Sequence, residues 1–185
     1  MDDYPIDKVY RLLEPGPVIL LTTKEKDGTN NVMTIGFHMV VQHEQPPLLA
    51  AIIGPWDHTF KTLRTTKECV IAIPTVEMAK TVVDIGNCSG ADEDKFEKFS
   101  LSTASGSEVG APLIEQCKAN IECRVADTKM VSKYNMFILE PVKAWVTPHL
   151  KDHKTIHHRG DGTFTVDGKV INLQDRMTKW KEYQE

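Results

Sequence analysis

Three apolar, β-prone runs follow one another near the start of the chain: residues 18–23 (VILLTT), 31–41 (NVMTIGFHMVV) and 48–53 (LLAAII). The links between them are KEKDGT at 24–29 and a short segment ending in Pro46-Pro47. Joining parallel strands takes a crossover of roughly a dozen residues or more, and these links are too short for one. The three runs must therefore form an antiparallel meander. Asp27-Gly28 is a strong hairpin dipeptide, because glycine takes positive φ without steric cost. A doubly wound nucleotide fold is excluded by the same links, by the lack of GxGxxG after the first strand and by the lack of GxxxxGK[ST].

The rest of the chain keeps to this pattern. Asp57 is placed to cap a helix running through Phe60, Leu63 and Arg64, and residues 69–73 (CVIAI) read as a fourth strand. Thr75 is placed to cap a helix over 76–85 that ends at Gly86. A short charged helix at 92–99 precedes a Ser/Gly-rich exposed loop at 100–110. Residues 120–125 (NIECRV) alternate with period two, as a half-buried strand does. Residues 134–146 are β-prone but contain Pro141, which predicts a bend or an edge. A polar loop at 151–162 leads to a hairpin over 163–171 pivoting on Asp167-Gly168. Residues 7–13 suit one short helix, and the charged residues 179–185 a frayed end. Six or seven strands with three or four small helices predict a mainly β fold: an antiparallel, closed or partly closed barrel with a few short peripheral helices. No repeat or linker divides residues 1–185, so one domain is expected.

Charge and cysteine content narrow the setting. Lys and Arg number 22 against 26 Asp and Glu, a formal net charge of -4. Such a chain lacks the electrostatic footprint for nucleic acid or an anionic membrane. No apolar run approaches the roughly 20 residues that span a bilayer, and the acidic N-terminus lacks the basic and apolar regions of a secretory signal. The four cysteines form no CxxC pair. Reduced thiols and a cytoplasmic location are expected.

Four stretches hold residues able to do chemistry. Residues 31–38 pack an amide (Asn31), a thioether (Met33), a hydroxyl (Thr34), Gly36 and an aromatic (Phe37) into one strand. Asn31 and Thr34 can donate to carbonyl or phosphate oxygens, or they form a solvated polar face. Residues 54–60 (GPWDHTF) join a strand end to a helix start. There the free N–H groups, with His58 and Thr59, can hold a phosphate, unless Asp57 only caps the helix. Residues 87–95 (NCSGADEDK) offer a run of backbone N–H groups and the mobile charge of Lys95, or a plain surface loop. His149, His153, His157 and His158 are spaced as if three shared a helix face. Pro148 and the RGDG that follows favour a polar loop near a site rim over a metal site. With no GxSxG and no HExxH, an enzyme of this composition would take its chemistry from an organic cofactor.

PGPVILLTT, NVMTIGFHM, PPLLAAIIGPWDHTF, IGNCSGADEDKF, GAPLIEQCKANIECRV and HHRGDGTFTVDGK occur in this order. In them the chain resembles the flavin-reductase-like family, in its flavoredoxin branch, from about residue 12 to residue 177. The resemblance implies an FMN-binding split β-barrel. It implies a homodimer with flavin near the interface, and either NADH or NADPH as electron donor or an electron-carrier role with a redox partner protein. By motif, Asn31, Val32, Met33 and Thr34 would lie along the isoalloxazine and ribityl chain, with Phe37 approaching the ring. Ile53, Gly54, His58 and Thr59 would approach the phosphate. Asn87, Cys88, Ser89, Gly90 and Lys95 would complete the pocket. His157, His158 and Phe164 would approach the ring from the C-terminal part, across the dimer. Trp56-Asp57 departs from a family pattern that carries a basic residue there, so the helix start and Lys95 would bear more of the phosphate charge.

Overall fold

The computed structural model describes residues 16–42, 44–150 and 152–176. The helix expected at 7–13 and the frayed end at 179–185 lie outside them. Seven strands form one antiparallel sheet: β1 (Ile19–Lys24), β2 (Asn30–Ile35), β3 (His38–Gln42), β4 (Leu48–Ile52), β5 (Glu68–Ile73), β8 (Ala119–Asp127) and β9 (Met136–Val146). Their order is β2-β1-β5-β8-β9-β4-β3, curled into a half-barrel. The expected meander does not form: the run 31–41 breaks at Gly36 and Phe37 into β2, which pairs with β1, and β3, which pairs with β4, and these two are the opposite edges of the sheet. The expected split barrel is what forms.

The continuous apolar run of β1 has a direct reason. Ile19 and Leu21 point into the barrel core with Ile35, Ile53, Cys69, Ile71, Phe137 and Leu139. Val18 and Leu20 point to the opposite face, into a second core with Val32, Val82, Ile85, Ile114 and Ile156. A strand covered on both faces carries no polar alternation.

Helix α1 (His58–Thr66) turns Leu63 and Phe60 toward the barrel core, and Phe60 meets Phe137 edge-on at 5.6 Å. Asp57 occupies the N-cap position but makes no side-chain cap bond; its Oδ2 accepts instead from the Gly54 N–H at 2.8 Å. The helix expected over 76–85 divides into a 3-10 turn (Val76–Met78) and α2 (Ala79–Gly86), whose Val82 and Ile85 are buried in the second core. Thr75 makes no side-chain cap bond. The charged helix shortens to α3 (Lys95–Lys98), because Asp94 caps it by accepting from the N–H groups of Phe96 and Glu97.

Three other expectations change. The loop expected at 100–110 contributes β6 (Thr103–Ala104), which pairs with β7 (Leu113–Ile114), and it buries Leu101 and Val109. Pro141 lies inside β9, an interior strand between β8 and β4; the chain takes it up with a register shift, where Cys123 faces Pro141 and Glu122 faces Lys143. The C-terminal hairpin pairs β10 (Ile156–His158) with β11 (Phe164–Val166) and turns through residues 159–163, where Gly160 and Gly162 have φ of 78° and 84°. Asp167-Gly168 is no turn, because the Asp167 carboxylate is bound to Thr155 and His157. Among the described residues no helix is long and apolar enough to cross a membrane.

Candidate functional site

The sheet ends at β2, whose outer edge pairs with no other strand among the described residues. Along that edge lies a cavity of about 130 Å³, bounded by β2, the start of α1, the end of α2 and loop 87–90. Met33 and Thr34 both line it. Successive strand residues point to opposite faces, so only a cavity at the strand edge touches both.

Asn31 is the centre of its hydrogen bonding. Its Nδ2 donates to Thr59 Oγ1 at 2.8 Å. Its Oδ1 is buried and takes no partner among the described residues. A buried acceptor left unmade costs about 1–3 kcal/mol, so this oxygen is fit for a ligand hydroxyl or N–H. With the Thr59 oxygen already accepting from Asn31, the Thr59 hydroxyl proton is available to the cavity. The first N–H groups of any helix lack intrahelical partners, and those of His58 and Thr59 lie here because Asp57 does not cap them.

Lys95 supplies the charge. It is 5% exposed, not a mobile surface residue, and its Nζ donates to the Ile85 carbonyl at 3.1 Å. Burial pushes its ammonium below its ordinary value, opposed by Cys88, Asp57 and Glu93. It sits at the C-terminal end of α2, where a cation is favoured. His58 turns its Nε2 toward the Glu25 carboxylate at 2.5 Å. Thr34 has no proton to spare, because its hydroxyl donates to the Val82 carbonyl at 2.6 Å. It can only accept from a ligand, not donate as its residue type suggested.

Two glycines are fixed by close approach. A Cβ on Gly90 would fall 2.1 Å from Asn31 Oδ1, and one on Gly54 would fall 2.3 Å from the Trp56 indole. Loop 87–90 and the turn before α1 therefore close on the cavity as they do only with glycine.

Of the expected site residues, Asn31, Met33, Thr34, His58, Thr59, Cys88, Ser89, Gly90 and Lys95 line this one cavity. Asn87 lies just outside, on an adjoining hollow shared with Cys88 and Ser89. Gly54 supports it through Asp57. Val32 and Ile53 do not line it: each is fully buried, Val32 in the second core and Ile53 in the barrel core. Phe37 is exposed on the β2–β3 link. His157, His158 and Phe164 are brought together on the β10–β11 hairpin and do not line the cavity. The His157 Nε2 lies 2.5 Å from Asp167 Oδ1, and the His158 ring lies 5.1 Å from that of Phe164.

The four histidines considered for metal share no helix. His149 is in a 3-10 turn, His153 pairs with Glu77 at 3.2 Å, and the other two are on β10. Sequence reading did not place Trp56, Asp57, Ile85 and Gly86 on the cavity wall. Trp56 and Asp57 adjoin a recognised helix start, so proximity was a usable signal. Ile85 and Gly86 carried none, as they look like an ordinary helix end.

The arrangement can hold an anion against a helix start and a buried cation, and can bond a hydroxyl-bearing chain beside it. Residues 11–164 match the model of the flavin reductase like domain. An uncharacterized protein of Escherichia coli K12, YddH, is 32% identical over 87% of this chain and 92% of its own length. One from Archaeoglobus fulgidus is 36% identical over 67% of this chain and 70% of its own. The chain belongs to the flavin reductase-like family. Its fold is that of three solved proteins. A flavoredoxin from Methanosarcina acetivorans superposes with a TM-score of 0.81 at 23% identity, over 97% of this chain and 98% of that one. An FMN-binding domain of a flavin reductases-like enzyme from Shewanella baltica gives 0.78 at 23%, over 91% and 95%. The NADH:FAD oxidoreductase SgcE6 of Streptomyces globisporus gives 0.74 at 20%, over 91% and 98%.

Proposed function

We propose that this chain is an FMN-binding oxidoreductase, a flavin reductase that takes reducing equivalents from NADH or NADPH. One observation carries the reading. The cavity on the free edge of β2 joins a buried ammonium, an uncapped helix start and a buried amide oxygen without a partner. That is the set a phosphate followed by a polyol requires. The size agrees: about 130 Å³ is below the roughly 300–1,000 Å³ of whole-ligand pockets, so it suits the phosphate–ribityl end and leaves the ring to the open strand edge. What is said of the Shewanella and Streptomyces proteins, FMN binding and NADH-linked flavin reduction, supports the same assignment.

In this reading the His58 and Thr59 N–H groups and the Thr59 hydroxyl donate to the phosphate, and Lys95 offsets its charge. Asn31 Oδ1 accepts from a ribityl hydroxyl, while Cys88, Ser89 and Gly90 close the cavity. Met33, Thr34 and Phe37 follow along β2 and its link toward the ring. When bound, FMN supplies hydride and electron transfer; the chain supplies binding, orientation and electrostatics. His157, His158 and Phe164 would reach the flavin only from a second copy, so the reading includes a homodimer. Four free thiols suit a cytoplasmic setting.

The test is direct. FMN should bind with a dissociation constant in the micromolar range or tighter, about -8 kcal/mol or better, and riboflavin, lacking the phosphate, more weakly. Mixed with protein and FMN, NADH or NADPH should lose its near-ultraviolet absorbance. Calorimetry that detects no FMN binding overturns the whole reading. Binding without nicotinamide oxidation overturns the reductase and favours the flavoredoxin-like carrier, reduced by another protein.

A further inference from the structure

Cys88 stands where two hollows meet. It lines the flavin cavity of about 130 Å³ and also an open outer hollow of about 510 Å³, the latter with Gly86, Asn87, Ser89, Asp92 and Glu93. The outer hollow has the volume of a whole-ligand pocket, so a small reagent can meet Cys88 from it without crossing the flavin cavity. The other three cysteines are fully buried, Cys69 and Cys123 in the barrel core and Cys117 in the second core. Cys88 is therefore the one thiol of the four placed to exchange with a partner from solution.

The groups around its sulfur are matched to more than a phosphate. Cys88 Sγ lies 3.8 Å from the Ile85 carbonyl oxygen, and Lys95 Nζ donates to the same oxygen at 3.1 Å. The thiol and the buried ammonium thus share one anchor. On the same cavity stand Asn31 Oδ1, buried and without a partner among the described residues, and the uncapped first N–H groups of α1. A carboxylate complements the ammonium and the helix start. An amino group complements the unpartnered amide oxygen, and a sulfur complements Cys88. Together these three groups make an amino-acid thiol of the cysteine type. At about 130 Å³ the cavity holds one small group at a time.

Resting on the flavin reading above only for what is displaced, we infer that Cys88 is a site of reversible S-thiolation by a cysteine-type thiol, and that this adduct and FMN exclude one another. The step is thiol–disulfide exchange with a low-molecular-weight disulfide. A bond forms between Cys88 Sγ and one sulfur of the reagent, while the S–S bond of the reagent breaks. Cys88 is oxidised to the mixed disulfide; the departing sulfur is reduced and takes up the thiol proton. Lys95 then faces the carboxylate of the adduct in place of the flavin phosphate, and Asn31 Oδ1 accepts from its amino group. Exchange with a free thiol reverses the step, so the thiol–disulfide balance around the protein sets how much of it can take flavin.

Intact-mass spectrometry and flavin titration decide this. Apo protein equilibrated with cystine at about pH 8 should gain one cysteine per chain, and Cys88→Ser should gain none. Saturating FMN should disfavour the adduct by at least about tenfold, and by linkage the adduct should weaken FMN by the same factor. Dithiothreitol should restore FMN binding. Cystamine carries the amine without the carboxylate; equilibrated with its own thiol, it should form about fivefold less mixed disulfide than cystine does, and Lys95→Met should erase that difference. The outer wall is acidic, with Asp92 and Glu93, so a preference for the carboxylate-bearing reagent has its source in the inner cavity. No adduct on Cys88 in the unaltered protein overturns the inference. So does an adduct that binds FMN at full affinity, and so does a cystine preference that is absent or survives Lys95→Met. Failure of FMN to bind the reduced, unmodified protein marks the flavin reading as wrong; the adduct and its dependence on Lys95 are read by mass alone and are judged separately.

Discussion

A lysine buried to 5% exposure with a single carbonyl partner at 3.1 Å is costly unless its charge is used. Burial lowers the Lys95 ammonium from its ordinary value, so the folded chain holds that charge less readily than the unfolded chain does. Lys95→Met should therefore leave the apo protein within about 1 kcal/mol of its original stability, lost hydrogen bonding being offset by relief of desolvation. The same change should weaken FMN by about 10- to 100-fold. Chemical denaturation and flavin titration at two salt concentrations measure both, and unchanged affinity at low salt would remove Lys95 from the site. Glu122 is the opposite case, buried and well satisfied. Burial tends to raise its carboxyl, but the Trp145 indole N–H at 2.7 Å and the N–H groups of Ser107, Glu108 and Val109 outweigh this and hold it down to about 2. The folded value lies below the roughly 4.3 of an unfolded glutamate. Its contribution is therefore complete above that value and is lost as pH falls toward 2. Glu122→Gln puts an amide N–H₂ among donors. It should cost about 2–3 kcal/mol at pH 7, and the gap between the two proteins should close between about pH 4 and pH 2. Urea unfolding at pH 7 and pH 3 tests this; a gap independent of pH would show that shape, not charge, is what Glu122 provides.

At the scale of elements, what was legible followed from local rules. Short links and an Asp-Gly turn set the β1–β2 and β3–β4 hairpins, though not the continuous meander expected, because the chain crosses between β2 and β3 from one edge of the sheet to the other, and double-sided burial explains the unbroken apolar run of β1. What was not legible depended on where polar side chains are spent. The alternation in β8 suggests polar residues outward, yet Asn120 and Glu122 point inward, because residues 105–110 and β7 lie over that face and bond to them. Asp57 reads as a cap and Asp167 as a turn residue, but each carboxylate is bound elsewhere, to the Gly54 N–H and to Thr155 with His157. Nine of the expected residues line one cavity because they sit at strand and helix ends, where motif and geometry coincide. Val32 and Ile53 did not, since strand phase turns them into the two cores. The hairpin gives a test at this scale. Burial raises the Asp167 carboxyl, but the Thr155 hydroxyl and N–H and then His157 prevail and lower it to about 2. Asp167→Asn should loosen the β10–β11 hairpin while the barrel stays folded. Hydrogen exchange should then speed up at the amides of residues 155–158 by about tenfold and remain unchanged at those of β1 and β5. Equal acceleration everywhere would mean the hairpin is an integral part of the barrel's cooperative unit.

For the whole molecule, the decisive feature is edge strand β3. Met39, Val40 and Val41 are consecutive and exposed by 51%, 69% and 46%, with Phe37 exposed by 59% just before them. A strand covered on one face hides every second residue, so three apolar neighbours in the open mean that, among the described residues, nothing covers either face of β3. The register shift between Val40 and Gln42 already interrupts its one ladder, to β4. An edge of this kind invites pairing with another chain unless charge or proline blunts it, and here neither does. A second copy covering β3 would remove this apolar surface from water at about 25 cal/mol per Å². Through the β2–β3 link it would also come close to the flavin cavity, as the proposed contribution of His157, His158 and Phe164 from the partner requires. Light scattering should give a mass near twice 20.8 kDa at micromolar concentration. Val40→Lys places a charge on the most exposed of the three positions without touching either core. It should shift the protein to monomer, leave its thermal stability within about 1 kcal/mol per chain, and weaken FMN by more than a surface change should. Monomer in the unaltered protein, with FMN bound at full affinity, would show that one chain completes the site alone and that the C-terminal hairpin takes no part in it.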